Sequence, residues 1–256
     1  MPQLISFFGL FGMLVVAWAL STDRKLIPWR VIAGGLVLQL VFALLILKTG
    51  FGAQIFIWAK DVVNGLISLS DEGAKFVFGQ NFTDHFFAFK VLPTIIFISS
   101  ISYLLFYWGV LQRVVSGMAW VMYRVMGISG SESLCAAANV FVGQTEAPLL
   151  IRPYLKTMTQ SEIMCMMTGG MATVAGGVLA AYVGFGISAG HLLAASVMSA
   201  PAAVVIAKIM YPEKEESPTK GAVSIDLEVT EVNAFEAACK GASEGLKLSL
   251  NVAAMI

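Results

Sequence analysis

The sequence predicts an all-α integral membrane protein: a multi-span helical bundle with a re-entrant helical hairpin and a broken transmembrane helix. Three observations carry this. The 256 residues are 58% hydrophobic and only 12% charged, with a mean hydropathy of +0.82, a balance that excludes an ordinary water-facing globular surface. Charge-free runs long enough to cross a bilayer recur along the chain. Finally, Gly143-Gln144-Thr145-Glu146-Ala147-Pro148 sets an amide, a hydroxyl and an acid side by side within an apolar stretch.

The elements follow in order. Residues 4–20 carry no charge and form a first span, and no basic segment or Ala-x-Ala site marks it as a cleaved signal. The link 21–30 holds Arg24, Lys25 and Arg30, and residues 31–47 form a second uncharged span. Residues 50–89 are interrupted by Lys60, Asp61, Asp71, Glu72, Lys75 and Asp84. Phe56, Trp58, Val62, Val63 and Leu66 recur there at helical spacing, so one face lies along an interface. Residues 91–112 read as a third span. Residues 114–125 carry Arg124 and repeat Val114, Met118, Val121 and Val125, which describes a helix lying on the membrane surface. Residues 163–190 are uncharged and glycine-rich, with Gly169-Gly170 and Gly176-Gly177 either letting helices approach closely or marking unwound backbone at a site. Residues 192–207 form a further span, 211–240 a polar loop with one surface helix, and 245–256 the start of an apolar run too short to cross.

Glu146 is the only charge between residues 133 and 151. An ionisable group at the bilayer centre costs at least about 2.5–3.5 kcal/mol, so by default it marks a functional site. Pro148 donates no backbone hydrogen bond and Gly143 relaxes the chain before the acid, so a continuous helix is not expected. Broken backbone survives at that depth only where protein or a polar cavity covers it. The segment 131–154 is therefore expected to enter and leave by one face.

The basic residues agree. Arg24, Lys25 and Arg30 place the first loop in the cytoplasm, and Arg113 and Arg124 fall on the same side two crossings later. Arg152 and Lys156 stay there only if the motif is re-entrant, and Lys208, Lys214 and Lys220 return there after two more crossings.

Sixteen basic and sixteen acidic residues cancel, so no basic field points to nucleic acid. Cys135, Cys165 and Cys239 form no Cys-x-x-Cys pair, and the first two lie in apolar stretches as small buried hydrophobes. His85 and His191 sit at interfacial or capping positions. No HExxH, Gly-x-Gly-Asp or Gly-x-Ser-x-Gly sequence supports a membrane enzyme. A channel sets its acids in a ring around an open pore, not beside an amide and a hydroxyl at a hairpin tip.

Residues Gly143 to Tyr154, reading GQTEAPLLIRPY, resemble the first helical hairpin of the concentrative nucleoside transporters. Ser131-Glu132-Ser133 before them and Met171-Ala172-Thr173-Val174-Ala175-Gly176 after them resemble that family's flanking elements. The resemblance implies that Gln144, Thr145 and Glu146 face a nucleoside at the hairpin tip, with Val178 packing on the base. Amide, hydroxyl and carboxylate suit the donors and acceptors of a base edge. It implies a sodium site formed by the Asn139 side chain, the Thr173 hydroxyl and the carbonyls of Val142 and Val174. Neutral oxygens suit a monovalent cation, although proton coupling stays open. It further implies uptake by alternating access in a bacterial cytoplasmic membrane, as a homotrimer, with the chain as the first part of an inverted-repeat transporter. The second hairpin and the ribose-binding half are then expected in a longer polypeptide. On this reading residues 1–125 are scaffold, 126–210 a transport core, and 211–256 a cytoplasmic loop and the start of another span.

Overall fold

In the computed structural model, which describes residues 2–144, 147–174, 176–219 and 231–255, ten α-helices form a bundle with no strand among the described residues. Helices α1 (Pro2–Ala19) and α2 (Trp29–Lys48) match the first two apolar runs to within two residues at each end. In α2, Gly34 and Gly35 let two other helices press in. A Cβ on Gly34 would stand 2.9 Å from the Val125 carbonyl oxygen, and one on Gly35 2.2 Å from Val205 Cγ2.

Helix α3 (Gly50–Phe78) is one continuous helix of 29 residues. Its exposed Trp58, Leu69, Phe76 and Val77 alternate with charged positions, as an interfacial element requires. Lys90 Nζ reaches Asp71 Oδ2 at 2.9 Å and ties α3 to the next unit. There a π-turn (Phe87–Val91) runs straight into α4 (Leu92–Tyr107).

The third predicted span, 91–112, is shorter than expected. Gly109 adopts a left-handed φ of +72° and turns the chain, so residues 110–112 belong to α5 (Val110–Met126). Hydropathy registers no such turn, because the residues on both sides are apolar. The stripe of α5 buried against the protein is Leu111, Val115, Ala119, Met122 and Met126. The apolar repeat Val114, Met118, Val121 and Val125 read for a helix on the membrane surface lies one residue around the helix, with Val114 and Val125 exposed. An interfacial helix carries apolar residues toward both the protein and the lipid, and periodicity alone does not separate the two faces.

The re-entrant segment and broken span follow, built on α6 to α8 and described below. Helix α9 (Ala189–Met210) then crosses, packing on α2 and on the core. The last helix, α10 (Ala234–Met255), begins eleven residues before the predicted start at 245. Its contact surface is made of small residues that hydropathy undervalues, and its other side carries Glu236, Lys240, Glu244 and Lys247. A Cβ on Gly241 would stand 2.8 Å from the Ser99 carbonyl oxygen, and one on Gly245 2.8 Å from Ile96 Cα. Ser100 Oγ donates to the Ala238 carbonyl at 2.9 Å and Ser249 Oγ to the Leu92 carbonyl at 3.0 Å. Backbones close enough for this make a small-xxx-small helix pair.

Gly245→Leu is expected to force α10 away from α4 and to destabilise the protein by about 1–3 kcal/mol. The thermal unfolding midpoint in detergent measures it, and an unchanged midpoint would show that the two backbones do not meet at Gly245.

Candidate functional site

Helix α6 (Gly130–Ala138) is buried along all nine residues. It opens on a capping box: Ser129 Oγ accepts from the Glu132 amide, and the Ser129 amide donates to Glu132 Oε2 at 3.0 Å. Such reciprocal bonds satisfy two amides that a helix start leaves without partners. The chain reverses after Asn139, with the Val142 amide still reaching the Ala138 carbonyl at 3.0 Å. It returns beside α6 as a 3-10 helix, Ala147–Tyr154. The second arm is thus helical, with the tighter 3-10 winding. Pro148 and Pro153 each remove an amide donor, and shorter i to i+3 spacing is what remains.

Helix α7 (Gln160–Ala172) opens on a second capping box, Thr159 with Glu162, and ends at Thr173 in extended conformation, φ −121° and ψ 160°. Helix α8 (Gly176–Gly184) resumes three residues later. The expected broken helix is present. Its two glycine pairs divide the two readings between them. Gly169-Gly170 lies inside continuous α7 and serves close approach, whereas Gly176-Gly177 opens α8 directly after the break.

The approach is between this helix and the hairpin. A Cβ on Gly170 would stand 3.0 Å from Gln144 Cβ, and one on Gly169 3.5 Å from Asn139 Nδ2. The structure therefore brings Asn139 and Gln144 against the last turn of α7, which leads into Thr173. Asn139 is 3% exposed, and its side chain makes no hydrogen bond among the described residues. Thr173 Oγ1 donates to the Gly169 carbonyl at 2.8 Å, which leaves its lone pairs free. Val142 is buried, Val174 and Val178 are half-buried, and Gln144 is exposed. Thr145 and Glu146 lie outside the described residues. Cys135 and Cys165 are buried among apolar residues, as expected.

A second polar assembly was missed by sequence reasoning. Lys208, taken as a loop cation, is buried in the last turn of α9, with Nζ 2.5 Å from Glu132 Oε1. No hydrogen bond from another group reaches that oxygen. Lys208 also donates to Ser161 Oγ at 2.8 Å and Glu213 Oε2 at 3.1 Å. Glu162 Oε1 accepts from Ser217 Oγ at 2.5 Å, Thr219 Oγ1 at 3.2 Å and Ser131 Oγ at 3.3 Å. The signal was present in the chain: Ser129-Gly-Ser-Glu132 and Thr159-Gln-Ser-Glu162 repeat one capping pattern thirty residues apart. The assembly joins α6, α7, α9 and the chain after α9. That chain is also held to the first loop. The Thr22 amide donates to the Met210 carbonyl at 2.9 Å, and Lys214 Nζ lies 3.0 Å from Asp23 Oδ2. The Lys214 hydrogen bond holds the Asp23 carboxyl below the usual carboxylate range.

Lys208→Met would leave the buried Glu132 carboxyl without its partner, and removing one partner of a buried pair costs about 3–5 kcal/mol. The expected result is a large drop in thermal midpoint, partly restored by adding Glu132→Gln. A midpoint equal to wild type would show that the pair carries no stability.

Three family models match successive parts of this chain. The model for the N-terminus of Na+ dependent nucleoside transporters matches residues 8–81. One for nucleoside recognition, termed Gate, matches 88–189, and the transporter C-terminus model matches 191–256. Solute carrier family 28 member 3 of Eptatretus stoutii is 46% identical over 98% of this chain and 37% of its own length. Sodium/nucleoside cotransporter 1 of Mus musculus is 44% identical over 98% of the chain and 39% of its own length. The chain thus spans under two fifths of these curated relatives. Among solved structures, CNTnw in an inward-facing substrate-bound state superposes with a TM-score of 0.92 at 37% identity, over 99% of this chain and 64% of that one. A CNTnw variant in an outward-facing state gives 0.89 at 36% identity, over 98% and 62%. With its hairpin, broken helix and span order shared across nearly its whole length, the chain belongs to the sodium-dependent, concentrative nucleoside transporter family.

Proposed function

We propose that the whole protein carries out sodium-coupled secondary active uptake of nucleosides by alternating access. The observation that supports this best is the contact between the hairpin turn and the broken helix, where Gly169 and Gly170 bring α7 against Asn139 and Gln144. Gln144, Thr145 and Glu146 bind the base edge through their amide, hydroxyl and carboxylate, and Val178 packs on the base. Asn139, Thr173 and the carbonyls of Val142 and Val174 hold the sodium ion. The Asn139 amide, with no side-chain hydrogen bond among the described residues, and the Thr173 hydroxyl, with free lone pairs, are suitable neutral ligands on the two sides of the contact. Residues 1–125 act as scaffold, 126–210 as transport core, and 211–256 as the connection to the next span. Relatives solved in inward- and outward-facing states are compatible with a core that moves against its scaffold. The sequence resemblance favours a homotrimer in a bacterial cytoplasmic membrane.

Glu146→Gln keeps the shape of the side chain and removes its charge. Uptake of nucleoside into vesicles is expected to fall roughly 10–100-fold, the range for losing a charge-assisted hydrogen bond, with expression unchanged. Wild-type uptake in this variant would remove Glu146 from the site.

Thr173→Ala removes one cation ligand. The sodium concentration for half-maximal uptake is expected to rise roughly 3–10-fold, and nucleoside affinity at fixed sodium to fall with it, because the two bindings are linked. Uptake that ignores sodium and follows a proton gradient would replace the sodium site with proton coupling.

A further inference from the structure

We infer that the pocket between the α1–α2 loop and the ends of α5 and α9 is a binding site for an acidic glycerophospholipid, with its phosphate among Lys25, Arg30 and Arg124 and an acyl chain between α1 and α2. Two cavities border the same four residues there. One, of about 700 Å³, is polar and is lined by the residues from Lys25 to Val31, by Tyr123 and Arg124, and by the buried assembly around Lys208. The other, of about 500 Å³, is lined only by apolar residues of α1, α2 and α9 and by the loop before α2. Leu26, Ile27, Pro28 and Trp29 line both.

The charges in the polar cavity are segregated. Glu132 and Glu213 are engaged by Lys208, and the third acid, Glu215, lies on the exposed chain after α9. Lys25, Arg30 and Arg124 make no ion pair among the described residues. Arg30 is held in place: its Nη2 donates to the Arg124 carbonyl at 3.3 Å. It lies over Gly127, whose left-handed φ of +71° and missing Cβ clear the space, since a Cβ there would stand 2.6 Å from Arg30 Nε. A guanidinium fixed beside two unpaired cations suits a phosphodiester.

The adjoining groove decides between a lipid and a soluble anion. A soluble anion has no use for a wholly apolar chamber adjoining its site across Leu26 to Trp29, whereas a lipid occupies both. Phe11, Val15, Trp18, Leu26 and Trp29 expose apolar surface along that chamber. Trp18 Nε1 donates to the Arg24 carbonyl at 3.1 Å, the arrangement of an indole at the level of the headgroups. Basic pockets between spans are a recurrent setting for acidic headgroups. The inference needs only the membrane fold, so it stands or falls apart from nucleoside uptake.

Native mass spectrometry of the delipidated whole protein, titrated with phosphatidylglycerol or phosphatidylcholine in detergent, tests it. Wild type is expected to retain phosphatidylglycerol preferentially, and Lys25→Gln/Arg124→Gln to lose about tenfold in that retention. Neither of those side chains makes a hydrogen bond among the described residues, so the variant should fold. Ala33→Trp, which fills the apolar chamber and leaves every cation in place, should lose retention as well. Equal retention of both lipids by wild type, or undiminished retention in either variant, would overturn the inference. Displacement of phosphatidylglycerol by millimolar inorganic phosphate would also overturn it, by making the cavity a site for a soluble anion.

Discussion

A backbone amide or carbonyl without a partner in hydrocarbon costs several kcal/mol, and this constraint organises the core. The chain leaves helical geometry at the hairpin turn after Asn139 and at the break after Ala172. Neither interruption stands alone against lipid, because the two are pressed together. Gly170 is what permits it, since a Cβ there would stand 3.0 Å from Gln144 Cβ, while Gly169 faces Asn139 at ordinary contact distance. Helix α6 is buried along its whole length, and α8 packs on α4 and α9. Covering irregular backbone with protein creates an enclosed place lined by groups that need polar partners. In a transporter fold, that place is where ligands supply them.

The arrangement needs its far ends held, and the assembly around Lys208 does this. Burying two carboxylates, Glu132 and Glu162, with a half-buried third, Glu213, near one ammonium is not a source of stability by itself, because desolvation offsets most of the attraction. The surrounding hydroxyls alter the balance. Ser131, Ser217 and Thr219 all converge on Glu162 Oε1, and the backbone amides of Ser129 and Thr159 donate to the carboxylates of Glu132 and Glu162. Each capping glutamate thus ends its own helix and also joins a neighbouring element. Geometry is the main product: the starts of α6 and α7 are locked to the end of α9.

Much of this was legible in the sequence where hydropathy or backbone chemistry speaks directly. The first two spans, α9, the reversal at 139–147 and the break after Ala172 all follow from uncharged runs interrupted by Gly, Pro and a polar motif. What stayed illegible depends on partners. The stripe of α5 that faces protein is not distinguishable from the stripe one residue around it, since both are apolar. Helix α10 reads as polar until residue 245 because its packing face is Ala237, Gly241, Gly245 and Ser249, residues whose value is closeness rather than hydrophobicity. Lys208 reads as a loop cation because the acid that buries it is 76 residues earlier in the chain.

The hydrogen bonds also redraw a boundary. Hydropathy ends the core at residue 210, where α9 stops and charged residues begin. Yet Glu213, Ser217 and Thr219 bond to Lys208, Thr159, Glu162 and Ser131, and the Thr219 carbonyl accepts the Gly130 amide at 2.9 Å. The chain from Tyr211 to Thr219 is therefore a strap across the starts of α6 and α7, and it belongs to the hydrogen-bonded unit that contains the hairpin. Among the described residues its links to the first loop are fewer: the amide and the hydroxyl of Thr22 both donate to the Met210 carbonyl, and Asp23 pairs with Lys214. An ion pair near solvent is screened and contributes little, against several bonds buried on the other side. If the core moves relative to α1 and α2, the strap travels with the core, and the contacts at Thr22 and Asp23 are the ones that break.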